Sequence, residues 1–448
     1  MSATAADLWG NAVTGAGPAT VRGLEAATLK LHAYQADPIA DIDAVIAEAP
    51  GCAMAHAFRA GVLATALDRA FEPEMLRSLE AAEALAPRAN GRERGHIAAA
   101  RLWADGDYAG ATEAWGRTAM ENPRDGLAIQ FAHIGDFALG YSHMLRDRIA
   151  RVLPHWRGAP GQGFILGMHA FGLEESGDYA AAEDAGRKAL ALDRQDGWAA
   201  HAVAHVMEMT GRAAEGVSFI RDTAPDWAPG SMFAFHNWWH LALFHIERGD
   251  AAEALRLFDE EISGGDFGQA LELVDGSALL WRLHALGHSV GDRWRRLADG
   301  WRARIADGYY AFNDLHAMMA FVGTGDAAAQ RELLANVSRA AARASGTNAM
   351  MAREVGLPAC LGFAAFGRGD HAEAVAQLLP VRGKANRFGG SHAQRDVFSW
   401  TLMEAALRLG DKPLADAMAA ERLALKPDSP LNLAWARRGA ALEAKRAA

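Results

Sequence analysis

Pairs of glycine followed by aspartate or arginine recur along this chain, and they constrain its fold more than any other feature. Seven such pairs separate apolar helical patterns, beginning at Gly106, Gly177, Gly211, Gly249, Gly325, Gly369 and Gly410. The first two are 71 residues apart, and the next steps are 34 and 38 residues. Glycine can end a helix in the left-handed conformation, and aspartate can cap the helix that follows. Helix–turn–helix units with a period in the mid-thirties are typical of a solenoid.

The amino-acid composition agrees with helices and argues against a sheet. The 448 residues include 100 alanines but only 28 valines and isoleucines together, and strands favour β-branched residues. In the segment 178–193, apolar residues recur at three- and four-residue steps, and this segment resembles the second helix of a tetratricopeptide repeat. The sequence therefore predicts an all-α, tetratricopeptide-like α-α superhelix (solenoid) of roughly a dozen helical hairpins. We expect a single continuous domain over residues 1–448, with residues 1–20 as a peripheral N-terminal segment.

Charge and cysteine content indicate the setting in which the protein acts. The net charge of -10 and the pI of about 5.9 disfavour binding to nucleic acid and to anionic membranes. Two cysteines, Cys52 and Cys360, make no disulfide framework, and no signal peptide is visible. Residues 227–246 carry no charge, but they include proline, glycine, asparagine and histidine, so we expect a loop and a buried helix there. The sequence predicts a cytoplasmic protein without nucleic-acid or membrane partners, and leaves a homodimer open.

The placement of the 17 histidines is the most informative functional signal. Three His-x-x-x-His pairs occur, His201/His205, His236/His240 and His284/His288, and residues four apart share a helical face. Histidines of successive hairpins are spaced by 36, 36, 35, 44 and 32 residues, each in the first helix of its hairpin. In tetratricopeptide superhelices the first helices line the concave groove. The set can therefore form a pocket, and the alternative is that these histidines are core residues.

Two kinds of chemistry suit such a pocket. A divalent transition metal could bind His201, His205 and Glu208. Two histidines at four-residue spacing can chelate a metal ion, and a carboxylate can complete its coordination. General acid–base catalysis is the other use, since neutral histidine titrates near physiological pH. The candidate catalytic residues are His201, His205, His240, Asp275, His284, His392 and Asp396. The candidate substrate-binding residues are His236, Trp239, Arg282, His316 and Arg395.

Several well-known motifs are missing from the sequence. There is no G-x-x-x-x-G-K-[ST] loop, so we expect no nucleotide cofactor. There is no H-E-x-x-H motif to support zincin-type hydrolysis and no G-x-S-x-G elbow to support an α/β-hydrolase.

Four blocks, HAVAHVMEMTGRAAEG, HNWWHLALFHIERGD, FNDLHAMMAFVGTGD and GGSHAQRDVF, resemble the tetratricopeptide repeat protein 38 family. The resemblance covers roughly residues 20–430 and implies an all-helical, tetratricopeptide-like superhelix. It carries over no catalytic residue.

The sequence favours an enzyme whose histidine-lined pocket acts on a small organic substrate by acid–base or metal-assisted chemistry, of hydrolase or lyase type. The alternative is a tetratricopeptide-type scaffold that binds a peptide or protein segment in its groove. A purely structural protein without a ligand is the third interpretation.

Overall fold

The computed structural model describes residues 4–35, 37–263 and 267–442, and nearly all of its regular structure is helical. Its two named strands, Thr4–Ala6 and Ala12–Thr14, pair antiparallel near the N-terminus, with Thr4 opposite Thr14. This hairpin lies in the segment 1–20, of which residues 1–3 are outside the described part. The prediction of an all-α, tetratricopeptide-like fold is confirmed.

The chain divides into two compact units. Unit 1 comprises Met1–Val203 and Thr223–Ala234, and unit 2 comprises Ala204–Asp222 and Phe235–Ala448. Their boundaries fall within three helices, α11 (Gly197–Met209), α12 (Ala213–Trp227) and α13 (Ala234–Glu247), which contribute residues to both. The prediction of a single continuous domain stays a prediction.

Within the described residues, ten helices precede α11, all of them in unit 1. They are α1 (Pro18–Ala33), α2 (Pro38–Glu48), α3 (Ala53–Thr65), α4 (Glu72–Leu85), α5 (Gly91–Ala104), α6 (Tyr108–Glu121), α7 (Gly126–Ala138), α8 (Ser142–Val152), α9 (Gln162–Glu175) and α10 (Tyr179–Leu192).

In the part of the chain that the structure describes, twelve helices follow α12 and build most of unit 2. They are α13 (Ala234–Glu247), α14 (Ala251–Leu257), α15 (Ala270–Ala285), α16 (Arg293–Arg302), α17 (Ala311–Gly323), α18 (Ala327–Ala341), α19 (Thr347–Met351), α20 (Leu357–Gly367), α21 (His371–Arg382), α22 (His392–Leu409), α23 (Lys412–Leu425) and α24 (Pro430–Ala440). A π-helical segment, Ala352–Gly356, joins α19 to α20. Consecutive helices pair as hairpins, in number close to the predicted dozen.

The glycine pairs end helices as the sequence predicts. All seven glycines have φ between 69° and 84°, which is the left-handed region. In five of the turns the following aspartate accepts a hydrogen bond from a backbone N–H in the first turn of the next helix, at Asp107, Asp250, Asp326, Asp370 and Asp411. The repeat in the sequence is therefore a repeat of helix-ending and helix-starting signals.

Alanine and glycine lie where neighbouring helices pack closely. On α10, Ala182, Ala185 and Ala189 are buried, as their spacing predicts. On α9, Gly172 lies against the backbone of Leu145 and Arg146 in α8, where a Cβ atom would overlap these main-chain atoms. The high alanine content therefore reflects close helix packing.

The uncharged stretch 227–246 is a loop followed by the buried helix α13, as expected. Within the described residues, one helical stretch, Thr347–Gly367, is long and apolar enough to cross a membrane, and 67% of it is buried inside the structure. A core helix passes the same test of length and composition.

Candidate functional site

Three of the predicted site histidines meet inside unit 2. His205 lies on α11, and His236 and His240 lie one turn apart on α13; their exposed fractions are 0%, 4% and 0%. The ring of His240 is 4.4 Å from that of His205 and 5.1 Å from that of His236, measured between ring centroids. We call these three residues the histidine cluster. Its burial favours the core over an open pocket, the two alternatives that the sequence leaves open.

Two carboxylates hold rings of the cluster. His236 Nδ1 is 2.7 Å from Asp275 Oδ2, and His240 Nδ1 is 2.9 Å from Glu208 Oε2. Asp275 lies on α15 and Glu208 on α11, so helices of three successive hairpins contribute. Each acid thus contacts one ring of the cluster, and Glu208 contacts a histidine of the next hairpin.

Burial and neighbouring charges shift the pKa values of His240 and Asp275. Burial lowers the pKa of His240 well below its ordinary value, and protonation of His205 or His236, together with the charge of Arg282, would lower it further. Burial raises the pKa of Asp275, although His236 opposes that rise. His240 is therefore neutral at physiological pH, which leaves an imidazole able to act as a base or as a metal ligand.

Arg282 is a buried cation held by backbone oxygens. Its guanidinium is 1% exposed and donates hydrogen bonds to the carbonyl oxygens of Ala278 (3.0 Å) and Ala393 (2.7 Å). It lies over the ring of Trp239 at 5.3 Å and that of Trp400 at 5.6 Å. Among the residues that the structure describes, no carboxylate lies within ion-pair distance of it. Burial lowers its pKa to about 10, so it stays charged at neutral pH.

Arg282 faces a small recess of about 20 Å³ in unit 2, which has room for about one water molecule. The ionisable residues that line it are Glu208, Glu247, Arg282, Asp396, Arg422 and Lys426. Arg422 binds Asp396 through two hydrogen bonds of 2.7 and 3.0 Å. Burial alone would raise the pKa of Asp396, but the charge and hydrogen bonds of Arg422 outweigh it and hold that pKa below its usual range.

The remaining predicted residues make other contacts within their own units. His201 packs in unit 1 against Phe171, Trp198 and Phe233, with ring centroids 5.1, 4.9 and 5.3 Å away. His284 packs on Trp281 at 5.7 Å.

The predicted residues of α17 and α22 are also engaged elsewhere. His316 Nδ1 is 2.8 Å from the carbonyl oxygen of Phe312. Arg395 donates to the carbonyl oxygen of Gly390, and His392 is the first residue of α22. The sequence places His392 and Asp396 on one helical face, but the carboxylate of Asp396 accepts hydrogen bonds from Arg422 and from the Trp400 indole, 2.9 Å away.

Sequence reasoning missed Trp400, Arg422 and Lys426. Arg422 lies on α23, the second helix of its hairpin, and Lys426 follows that helix, whereas the candidate histidines lie on first helices. Trp400 lies on α22 itself, one turn beyond Asp396. The available signal was the four-residue step from Asp396 to Trp400, which puts an acid and an indole donor on one face of α22.

No protein-family model matches this sequence. Among solved structures, the chain is similar to the human IFIT1 dimer with PPP-AAAA, at 13% identity and a TM-score of 0.37, covering 88% of this chain and 91% of that one. It is also similar to the human IFIT1 dimer with m7Gppp-AAAA, at 16% identity and a TM-score of 0.33, covering 88% and 90%. Both TM-scores are below 0.5, and neither similarity bears on what this chain binds.

Proposed function

We propose that this protein is a tetratricopeptide-like scaffold that binds a peptide or protein segment, and that the recess of unit 2 accepts an acidic group of that segment. The observation that supports the proposal best is the buried guanidinium of Arg282, which faces the recess without a carboxylate at ion-pair distance within the described chain. Burying a charge is costly unless it is paired. An incoming carboxylate would supply the missing partner.

The size of the recess favours binding over turnover of a whole organic substrate. Ligand pockets usually measure about 300–1,000 Å³, whereas this recess of about 20 Å³ admits one oxygen-sized group. The histidine cluster is buried as well, so a substrate has little access to its rings. The enzyme interpretation therefore has less support than the scaffold, although the histidines retain chemistry of the right kind.

Two further cations favour an acidic group at the recess. Arg422 already binds Asp396, and Lys426 lies at the edge of the recess, half-buried. Arginine binds carboxylates with two parallel hydrogen bonds, and lysine adds a compact positive charge. Burial raises the pKa of Glu247, one of the three carboxylates that line the recess. Leu425, next to Lys426, is 70% exposed, so we expect an apolar residue beside the acidic one in the segment.

The assignment to a narrower family and compartment belongs to this proposal. We assign the chain to the tetratricopeptide repeat protein 38 family on its four histidine-rich blocks, which fall on α11, α13, α17 and α22. A cytoplasmic location agrees with the two cysteines, which are both buried and free. Homodimer formation and the expectation of no nucleic-acid partner stay predictions.

A random-peptide display library, selected on the immobilised full-length chain, tests the scaffold proposal. We expect enrichment of peptides that carry an acidic residue next to an apolar one. Lys426→Glu should weaken the binding of a selected peptide by about tenfold or more, because it reverses a charge at the recess. Lys188→Glu is the matched control: it makes the same charge change on exposed α10 and should leave the dissociation constant unchanged.

Fluorescence anisotropy with a labelled copy of the selected peptide gives the dissociation constants. If no peptide family is enriched, or if the two variants bind the peptide equally well, the recess does not take an acidic group and the proposal fails.

A further inference from the structure

The histidine cluster has the donor atoms and the spacing of a transition-metal site. We infer that His205, His236 and His240 together bind one divalent transition-metal ion, and that zinc fits this set of ligands best. Each ring offers one nitrogen, and these nitrogens lie within 4.8 Å of one another. Zinc binds imidazole nitrogen at about 2.0–2.1 Å, which places the nitrogens of a tetrahedral set about 3.3 Å apart. Small rotations of the three side chains would bring the nitrogens from within 4.8 Å to the spacing of about 3.3 Å that a tetrahedral ion requires.

The hydrogen bonds behind the rings are those of a metal site. A histidine that binds a metal through one nitrogen usually donates the other N–H to a carboxylate, which fixes the tautomer and the ring orientation. His236 and His240 each have Nδ1 on a carboxylate, at 2.7 Å from Asp275 and 2.9 Å from Glu208. With Nδ1 protonated, Nε2 of both rings carries the lone pair. Two rings are thereby oriented before any ion binds.

The local charges suit a divalent ion. A buried cation is costly unless nearby anions compensate it. Glu208 and Asp275 supply two negative charges directly behind the ligating rings, which balance a charge of +2. Arg282 is the cation that opposes binding, and its position over Trp239 places it outside the cluster itself.

The ligand type selects the class of metal. Imidazole suits zinc, copper, nickel and cobalt, whereas calcium and magnesium require oxygen ligands. Three histidines leave one position of a tetrahedral ion for water or another group. Glu208, which the sequence suggests as a ligand, instead orients His240, and His236 and His240 of the next hairpin join His205.

Cobalt and zinc titrations of the full-length, tag-free chain test this inference. The protein is first treated with a chelator and dialysed, then incubated with CoCl₂, and the bound metal is measured by mass spectrometry after gel filtration. We expect about one equivalent of Co²⁺ with visible d–d absorption, and displacement of that absorption by Zn²⁺. The His240→Ala variant should no longer bind this equivalent of Co²⁺.

A matched variant separates metal binding from general damage to the core. His96 is buried on α5 and pairs with Asp125 at 2.8 Å, which is the same kind of histidine–carboxylate contact, and it belongs to no candidate metal-ligand group among the described residues. His96→Ala should keep the equivalent of cobalt. Asp275→Asn keeps all three ligands and should weaken cobalt affinity by about 10–100-fold.

Circular dichroism shows whether each variant is folded, and Asp275→Asn decides the question if His240→Ala does not fold. The inference is overturned if the wild-type chain binds no cobalt, or if its cobalt affinity is unchanged by both His240→Ala and Asp275→Asn.

Discussion

Single buried carboxylates in this protein differ in charge because their surroundings differ. Asp396 is held ionised by two hydrogen bonds from Arg422. Asp196, in unit 1, is fully buried, and within the described residues no cation lies at ion-pair distance from it. Burial raises its pKa to about 8, although a hydrogen bond from the Ala199 backbone opposes the rise. Residues of one type can therefore stabilise or destabilise the fold, depending on their partners.

Asp196→Asn should make the protein more resistant to unfolding at alkaline pH. Because the pKa of Asp196 is higher in the folded chain than its ordinary 3.8, the unfolded state loses this proton first as pH rises. Its contribution to stability therefore falls between about pH 4 and pH 8, by up to about 1.4 kcal/mol per pH unit. Asparagine keeps the oxygen that caps α11 and removes the titration.

Urea unfolding of both chains at several pH values measures this effect. The free energy of unfolding of Asp196→Asn, relative to that of the wild type, should increase with each step upward in pH. Asp370→Asn serves as the control, since Asp370 makes the same kind of capping hydrogen bond in an exposed turn. If the difference between Asp196→Asn and the wild type stays constant from pH 4.5 to pH 8, Asp196 is not a buried neutral acid.

At the scale of elements, close packing between neighbouring helices depends on glycines, which lack the Cβ atom that would keep two backbones apart. Gly172→Ala should destabilise unit 1 by about 1–3 kcal/mol, because the new methyl group would overlap the backbone of α8, which cannot move like a flexible side chain. Gly383→Ala is the comparison: Gly383 has an ordinary helical φ of -70°, and no atom lies within 4 Å of the added carbon. Thermal unfolding should show a clear loss for the first variant and little change for the second. Equal melting temperatures would contradict close packing at Gly172.

The elements that the sequence predicts well are those that depend on neighbouring residues. A turn such as Gly369-Asp370 can be read from the chain because its left-handed glycine and its capping aspartate act locally. The contact of Asp396 with Arg422 spans 26 residues, and that of His236 with Asp275 spans 39. Such pairs depend on which helices pack together. The repeat period predicts that Glu208 and His240 lie on the first helices of neighbouring hairpins. It does not show that the two side chains touch.

At the scale of the whole molecule, unit 2 has contacts that a simple row of repeats lacks. In a solenoid each repeat contacts mainly its neighbours. Here Ser429 donates a hydrogen bond to Glu247 across 182 residues, and the Trp281 indole reaches Thr401 across 120. Side chains of distant hairpins therefore fill the interior of this unit, which explains why histidines that the sequence assigns to an open groove are buried.

Modification of histidines by diethyl pyrocarbonate, mapped by mass spectrometry on the native full-length chain, tests this central claim most directly. The histidine cluster is buried, whereas His155 and His288 are exposed and serve as internal standards. We predict that His155 and His288 react fully while His205, His236 and His240 remain unmodified until the protein is unfolded. Reaction of the cluster at the rate of the exposed histidines would show an open, substrate-accessible pocket and contradict the account.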